Sequence, residues 1–262
     1  MASRNAAIRT LLAHYPVDIE RSDGSVVRGS RRTSRIFRVW LEESLRLESR
    51  QSFEAYDGGD VVDVGAFHGW YALLLAPRAR AGDSFVELEP DTRAFPGLLA
   101  NLEEIARWHP DLRLHALATP VGNGKPTRVE WPMGPTGHPS FSATDDAGGT
   151  PAVTVDAICR ALKIRPTFMK IDVEGAEAFV IEGMDETLDT HSPLVMLEIH
   201  PQWQPAGYSV DWLIDRMKRH GYVGRDLGDQ ALVRRILWSK RESTVTAGVR
   251  TRTQGDTAKP HS

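Results

Sequence analysis

The feature that most constrains the fold is a strand–turn–helix pattern in residues 60–76, whose sequence is DVVDVGAFHGWYALLLA. Three valines near its start form a short β-branched run, which is typical of a buried parallel strand. Gly65 and Gly69 flank a turn, and the apolar residues that follow have helical spacing as far as Pro77. This order predicts the first βα unit of an α/β domain, in which a ligand binds at the carboxyl end of the strand.

The turn itself indicates what kind of ligand it could hold. It has the pattern Asp63-x-Gly65-x-x-x-Gly69, and Phe67 stands where a dinucleotide fingerprint has its second glycine. The phosphate-binding loop pattern also fails, because no Gly-Lys-Ser/Thr follows. An acid at the strand end and close backbone approach at Gly65 favour a ligand with a cationic end and no pyrophosphate. S-adenosylmethionine (SAM) fits that description, and a connecting turn that binds nothing is the alternative.

The composition is that of a globular protein: of 262 residues, 41% are hydrophobic and 26% are charged. One α/β domain with small additions fits this length. The net charge of −3 argues against an obligatory nucleic-acid partner, and the single cysteine, Cys159, excludes an internal disulfide. No stretch is long and apolar enough for a membrane span, and the first residues lack a signal-peptide pattern. We therefore expect a cytoplasmic protein, with the oligomeric state, a homodimer included, left open.

Changes in composition divide the chain into three parts. They are an N-terminal helix-and-hairpin cap (1–57), a main domain (58–241) and a polar, disordered tail (242–262). Within the cap the pattern predicts a helix at 5–15, a hairpin at 17–27 and a mostly helical segment at 33–56. Several arginines make the cap the most basic part of the chain, which indicates either a solvated face or contact with an anionic partner.

The main domain alternates strands with helices, so we expect a doubly wound, mostly parallel sheet of seven strands. The predicted parallel strands are 61–65, 84–89, 112–117, 167–172 and 194–199. The first predicted helix follows the turn and ends at about residue 76. The other predicted helices lie at about 91–102, 156–163, 177–184 and 210–220. A closing hairpin pairs 223–227 with 232–238. The region 120–151 reads as a long functional or mobile loop with one short strand at 127–131.

Glu89 and Pro90 end the second predicted strand. Nucleotide-binding α/β domains place a carboxylate at this position, about 20 residues after the first turn, where it accepts hydrogen bonds from ribose hydroxyls. Glu89 is therefore predicted to bind the ribose of the cofactor. A solvated acid at the start of a helix is the alternative.

A second dense group of acids follows the fourth predicted strand in the sequence KIDVEGAE. Asp172 ends this strand, and we expect it to face the same crevice as Gly65. Three carboxylates within six residues repel each other unless a cation, a hydroxyl or helix amides compensate them. Glu177 is accounted for by the dipole at the start of the next helix, whereas Asp172 is predicted to contact a ligand.

His200 follows the fifth predicted strand and is a candidate general base, because imidazole titrates near neutral pH. Glu198 lies two residues earlier and is expected to share a face with it. His68, inside the turn, is a second candidate, and a histidine that only caps the strand end is the alternative. A Mg²⁺ ion held by Asp172 with Glu198 or His200 is compatible with the sequence, although no spacing requires it.

Five segments carry a resemblance to a known family. They are VVDVGAFHGWYALLLA, VELEPDTRAFPGLLANL, TVDAI, PTFMKIDVEGAEAFVIEGM and LVMLEIHP. Together, from about Asp60 to Pro201, they resemble the FkbM family of SAM-dependent methyltransferases. The resemblance implies a class I methyltransferase fold of Rossmann-like type, SAM as methyl donor, and O-methylation of a natural-product or glycan hydroxyl.

Carried over by position, the resemblance implies that Asp63, Gly65, Gly69 and Glu89 belong to the cofactor site and that Asp172 faces cofactor and substrate. With the residues between and beside them, the predicted cofactor site comprises Asp63, Gly65, Ala66, Phe67, His68, Gly69, Glu89, Pro90 and Asp172. The predicted catalytic residues are His200 and Asp172, either of which could remove the acceptor's proton. Family turns commonly read Asp-x-Gly-Ala-Asn-x-Gly, so Phe67 and His68 depart from the family at the methionine end of SAM.

The predicted function is therefore SAM-dependent O-methylation of a small-molecule, sugar or natural-product acceptor. An N-methyltransferase shares the same cofactor site, and a noncatalytic SAM-binding protein also stays open. An NAD-dependent dehydrogenase is disfavoured by Phe67. Methylation of nucleic acid is disfavoured by the acidic charge balance.

Overall fold

A seven-stranded sheet organises the part of the chain that the structure, a computed structural model, describes: residues 19–20, 26–27, 47–130, 140–143, 149–230 and 233–240. Its strands are β3 (Asp60–Val64), β4 (Ser84–Leu88), β5 (Arg113–Leu117), β9 (Pro166–Ile171), β10 (Leu194–Ile199), β11 (Val223–Gln230) and β12 (Val233–Ser239). They lie side by side in the order β11-β12-β10-β9-β3-β4-β5. Strands β3, β4, β5, β9 and β10 run parallel to one another. The hairpin formed by β11 and β12 pairs antiparallel with β10 through β12. This confirms the predicted sheet and its closing hairpin.

Seven α-helices accompany the strands within these residues. They are α1 (Leu47–Ala55), α2 (Trp70–Leu75), α3 (Phe95–Trp108), α4 (Val155–Leu162), α5 (Glu177–Glu182), α6 (Asp185–Thr190) and α7 (Val210–Arg219). Short 3₁₀ turns follow α2 at Ala76–Arg78 and β10 at Pro201–Trp203. None of these helices has the length and apolarity needed to cross a membrane.

Two hydrophobic layers form because successive strand residues point to opposite faces of the sheet. On one face Val61, Phe85 and Phe168 pack with residues of α1, α2 and α3. On the other face Val62 and Met169 pack with residues of α4 to α7. Both faces of the parallel strands are therefore buried, which explains why their sequences are almost continuously apolar.

Two helices differ from the sequence prediction. The helix after β4 begins at Phe95 rather than near Asp91, whereas α5 confirms the helix predicted at 177–184, and a further helix, α6, follows it without having been predicted. Asp156 from the start of α4 accepts hydrogen bonds from the backbone N–H of Thr187 at 2.8 Å and of Glu186 at 3.1 Å. A side chain about 30 positions earlier thus stabilises the start of α6, which no local pattern could predict.

The region predicted as a long loop contains a second, smaller sheet. Strand β6 (Pro126–Glu130) confirms the predicted short strand, and it pairs antiparallel with β7 (Ser140–Ala143) and β8 (Thr150–Pro151). The intervening residues 131–139 and 144–148 lie outside the described residues. The prediction of one strand in an otherwise irregular loop was therefore wrong for this region.

Only parts of the predicted N-terminal cap fall within the described residues. Strands β1 (Ile19–Glu20) and β2 (Val26–Val27) pair antiparallel, which confirms that part of the predicted hairpin. Helix α1 confirms the end of the predicted segment 33–56. The predicted helix at 5–15 and the predicted tail from residue 242 lie outside the described residues.

Candidate active site

The glycine turn after β3 lies against the end of β9. Gly65 has a φ of +81°, and a Cβ atom built on it would be 1.8 Å from the carbonyl oxygen of Asp172. Only glycine fits this conformation and this close approach. The N–H groups of Gly65 and Ala66 also donate to the carbonyl of Leu88, at 2.9 and 3.1 Å. The turn is thus fixed between the carboxyl ends of two neighbouring strands.

Phe67 is the exposed tip of this turn. Its φ of +49° is uncommon for an aromatic residue, and 55% of its surface is accessible. The ring stacks on His68 with 3.9 Å between ring centroids. His68 is partly buried, which lowers the pKa of its imidazole, and its backbone carbonyl accepts a hydrogen bond from Asn101 at 2.6 Å. The aromatic pair therefore borders the crevice above the turn.

Glu89 connects the turn to the end of β4. One carboxylate oxygen accepts the N–H of Phe67 and the other accepts the N–H of Asp91, both at 2.7 Å. Burial raises the pKa of Glu89 despite these two hydrogen bonds. Each carboxylate oxygen keeps a second lone pair, so the predicted ribose contact is compatible with this placement. Pro90, the next residue, is half-buried.

Asp63 lies beneath the turn rather than in the crevice. Its side chain is 1% exposed, and it sits between Glu87 and Lys170, its partners in the register of β4 and β9. Burial raises the pKa of Asp63 although Lys170 opposes this, and burial together with the charge of Asp63 raises the pKa of Glu87. A proton on one of these two buried carboxyl groups would relieve their repulsion. Asp63 therefore supports the turn from below.

Lys170 joins this buried pair to the crevice. Its ammonium donates a hydrogen bond to the carbonyl of Gly65 at 2.8 Å and lies 3.5 Å from Asp63 and 3.4 Å from Asp172. Burial alone would lower the pKa of Lys170, but the charges of Asp63 and Asp172 raise it. A permanent cation thus compensates one oxygen of Asp172, whose side chain is 24% exposed.

His200 lies just beyond β10 with its ring fixed on two sides. Its Nδ1 is 2.9 Å from the carboxylate of Glu177, and the ring stacks on Trp203. Its Nε2 is 3.4 Å from Glu174 and 3.9 Å from Asp172. Burial would lower the pKa of His200, but the hydrogen bond to Glu177 and the three nearby carboxylates raise it.

Glu198 does not act with His200. The strand ends at Ile199, so the alternation that would place both side chains on one face does not extend to His200. Both oxygens of Glu198 instead bind the guanidinium of Arg235, at 2.9 and 2.7 Å. Burial and the charge of Asp172 raise the pKa of Glu198 to about 7.

The structure thus brings the turn, Glu89, Asp172 and His200 to one edge of the sheet. Sequence reasoning missed three contributors there: Glu177 as the partner of His200, Lys170 as the counter-ion, and Glu174 beside Nε2. Lys170 could have been found, because it is a basic residue only two positions before Asp172 and so is close enough to pair with its carboxylate. The contact between Glu177 and His200 joins a helix to a distant strand end and has no local signal.

Comparison with known proteins gives one family. A family model described as the methyltransferase FkbM domain matches residues 63–223, more than half of the chain. The matched range includes every crevice residue described above. A search of curated proteins found no match.

Several solved methyltransferase structures are similar to this chain at low identity. An FkbM methyltransferase from Methylobacillus flagellatus is 15% identical, with a TM-score of 0.48 over 88% of this chain and 58% of that chain. A precorrin-6y C5,15-methyltransferase from Geobacter metallireducens is 11% identical, with a TM-score of 0.44 over 74% and 86%. A ribosomal protein L11 methylase from Lactobacillus delbrueckii is 11% identical, with a TM-score of 0.41 over 73% and 76%. At these values the family assignment depends on the sequence match.

Proposed function

The chain belongs to the FkbM methyltransferase family, and from this premise we propose that it transfers a methyl group from SAM to a hydroxyl group of a small-molecule, sugar or natural-product acceptor. SAM would lie over the glycine turn, with its ribose at Glu89. The acceptor hydroxyl would lie at the cluster formed by Asp172, Glu174 and His200. We also propose that the protein is cytoplasmic. We propose further that it does not act on nucleic acid, for which the net charge of −3 is the support.

The observation that carries this proposal is the contact between the turn and the end of β9. Because the Gly65 backbone touches the carbonyl of Asp172, a cofactor on the turn and an acceptor at the acidic cluster would be neighbours. The carboxylates also suit the cationic methionine end of SAM. Phe67 fills the position where a pyrophosphate needs a bare backbone, which argues against a dinucleotide.

The transfer needs an oxygen nucleophile aligned with the methyl group and a group that takes its proton. The acceptor oxygen forms a bond to the methyl carbon while the carbon–sulfur bond breaks, and sulfur keeps the electron pair as S-adenosylhomocysteine (SAH). In a metal-free cluster the proton goes to Nε2 of His200. Glu177 fixes the ring for this role, because it accepts the hydrogen bond from Nδ1.

Two other functions use the same cofactor site. An N-methyltransferase would bind a neutral amine and need less help with proton removal. A noncatalytic SAM-binding protein would not depend on His200 at all. The buried pair of His200 and Glu177 favours hydroxyl methylation, because a hydroxyl group must lose its proton on methylation and an imidazole oriented by a carboxylate can take it.

The experiment is methyl transfer from radiolabelled SAM to matched sets of acceptors that differ only in carrying a hydroxyl, an amine or hydrogen at one position. We expect transfer to the hydroxyl members only. His200→Asn should lower kcat by about 10²–10⁴-fold with unchanged affinity for SAM. His191→Asn, a half-buried histidine outside the cluster, is the control and should leave kcat unchanged.

Transfer to amines but not to hydroxyls would replace this proposal with N-methylation. Full activity of His200→Asn on hydroxyl acceptors, in EDTA-treated protein, would show that the imidazole does not take the proton.

A further inference from the structure

Three side chains at the crevice bring one ligand atom each to a common point. His200, Asp172 and Glu174 each offer one ligand atom, and the three atoms all lie within 4.8 Å of one another. The distances from Nε2 of His200 are 3.4 Å to Glu174 and 3.9 Å to Asp172. Ligand atoms that share a metal ion with bonds of about 2.1 Å are roughly 3.0–3.5 Å apart. The distance to Glu174 already lies in this range, and small side-chain rotations would bring the other distances into it.

His200 adds an observation that is independent of the two acids. It is 3% exposed, and its Nε2 lies 3.4 Å from the carboxylate of Glu174 and 3.9 Å from that of Asp172. Oδ1 of Asp172, which faces this nitrogen, is buried without a hydrogen-bond partner in the described part of the chain. A cation bound between these groups would give that oxygen the partner that a buried polar atom needs.

The surroundings of His200 match those of a metal-binding histidine. Such a residue almost always donates its other ring N–H to a carboxylate, which fixes the tautomer and strengthens the ligand. Glu177, which is 0% exposed, provides this carboxylate at 2.9 Å, and the second oxygen of Glu177 binds Gln204. The stacked ring of Trp203 fixes the plane of the imidazole. The nitrogen is thus held in place before any ligand binds.

We propose that Asp172, Glu174 and His200 bind a divalent transition-metal ion, with Mn²⁺ as the representative. One imidazole with two carboxylates suits such an ion better than Mg²⁺, which prefers oxygen ligands alone. Glu198, considered as a ligand from the sequence, is excluded because both of its oxygens bind Arg235. Three protein ligands leave coordination positions open on the crevice side.

The binding of the ion stands on these contacts, whereas its role rests on the proposed function. An ion in this position would hold the acceptor oxygen and favour its ionised form. Nε2 of His200 would then be a ligand and would not take the proton. His200 therefore takes the proton in the metal-free site and is a ligand in the metal-bound site. A measurement of metal binding distinguishes these two roles.

The test is titration of the EDTA-treated full-length protein with Mn²⁺, followed by electron paramagnetic resonance and calorimetry. We expect one ion per chain and micromolar affinity. Glu174→Gln and Asp172→Asn should each weaken binding by at least about tenfold. Asp215→Asn, which removes an exposed carboxylate on α7, is the matched control and should bind like the wild type. Added Mg²⁺ should displace Mn²⁺ only in large excess.

Absence of binding up to millimolar Mn²⁺, or equal binding by the wild type and Glu174→Gln, would overturn the proposal. Calorimetry with SAH in EDTA separates this result from a failure of the proposed function. Protein that binds SAH but no Mn²⁺ refutes the metal site alone, whereas protein that binds Mn²⁺ but no SAH or SAM refutes the proposed methyl transfer.

Discussion

Gly65 shows how one residue joins the cofactor turn to the crevice. Its left-handed backbone is one reason why only glycine fits, and the Asp172 carbonyl oxygen, which would lie 1.8 Å from a Cβ atom at this position, is a second. A side chain at this position would have to adopt an unfavourable φ and push two strand ends apart. The glycine visible in the sequence is thus required by the packing of the turn.

Gly65→Ala is expected to lower the free energy of unfolding by at least about 3 kcal/mol, because backbone strain and a steric clash add together. Urea unfolding measures the change. Gly82→Ala is the matched control: Gly82 has a φ of +86°, but a Cβ there meets no atom within 4 Å. It should cost only the strain, about 1–2 kcal/mol. Equal losses in the two variants would contradict the tight contact between turn and strand.

Asp63 and His200 show what single residues reveal in the sequence and what they do not. Asp63 is recognisable from its place before Gly65, yet its full burial beside Lys170 depends on the register of three strands. His200 is recognisable as a titratable group at a strand end. Glu177, which orients His200, belongs to a different element. The helix dipole already explained an acidic residue at the start of that helix, so nothing in the sequence indicated a contact between Glu177 and His200.

At the scale of elements, a buried ion network fastens α1 to the sheet. Arg235 of β12 lies 3.2 Å from Glu48 of α1 and binds Glu198 of β10 with two hydrogen bonds. Arg235 and Glu48 are both about 5% exposed. The guanidinium therefore compensates two buried carboxylates from different elements.

Arg235→Met is expected to lower the free energy of unfolding by about 3–5 kcal/mol at pH 8, because it leaves two buried acids without their cation. Arg234→Met on the same strand is the control, since it removes only a partly exposed pair with Asp226. That pair contributes about 0–1 kcal/mol. Chemical denaturation of both variants gives the comparison. A loss below 1 kcal/mol for Arg235→Met would show that the network does not fasten α1.

The elements themselves were largely predictable because their patterns are local. Buried parallel strands have short β-branched runs, and glycine turns and prolines mark their ends, so five strands were located to within about a residue. The complete small sheet of β6, β7 and β8 was not predictable, since β7 and β8 are only four and two residues long and are too short to show a strand pattern. The start of α6 depends on Asp156, which is distant in sequence.

At the scale of the whole molecule, the parallel sheet brings together the groups that we propose for methyl transfer. The carboxyl ends of β3, β4, β9 and β10 lie at one edge, which places the turn, Glu89, Asp172 and His200 around a single crevice. The alternation of strands and helices predicts a parallel sheet, so this arrangement was predictable. The position of Glu174 beside His200 was not, because it depends on the path of the chain after β9.

The measurement that tests the central claim most directly is calorimetric titration of the full-length protein with SAM, SAH and NAD. We predict micromolar binding of SAM and SAH and no binding of NAD. Glu89→Gln should weaken SAH binding by at least about tenfold, because it removes a charged hydrogen-bond acceptor from the ribose site. The exposed Glu103→Gln should leave binding unchanged. Binding of NAD, or no binding of SAM and SAH, would contradict the assignment of this crevice to methyl transfer.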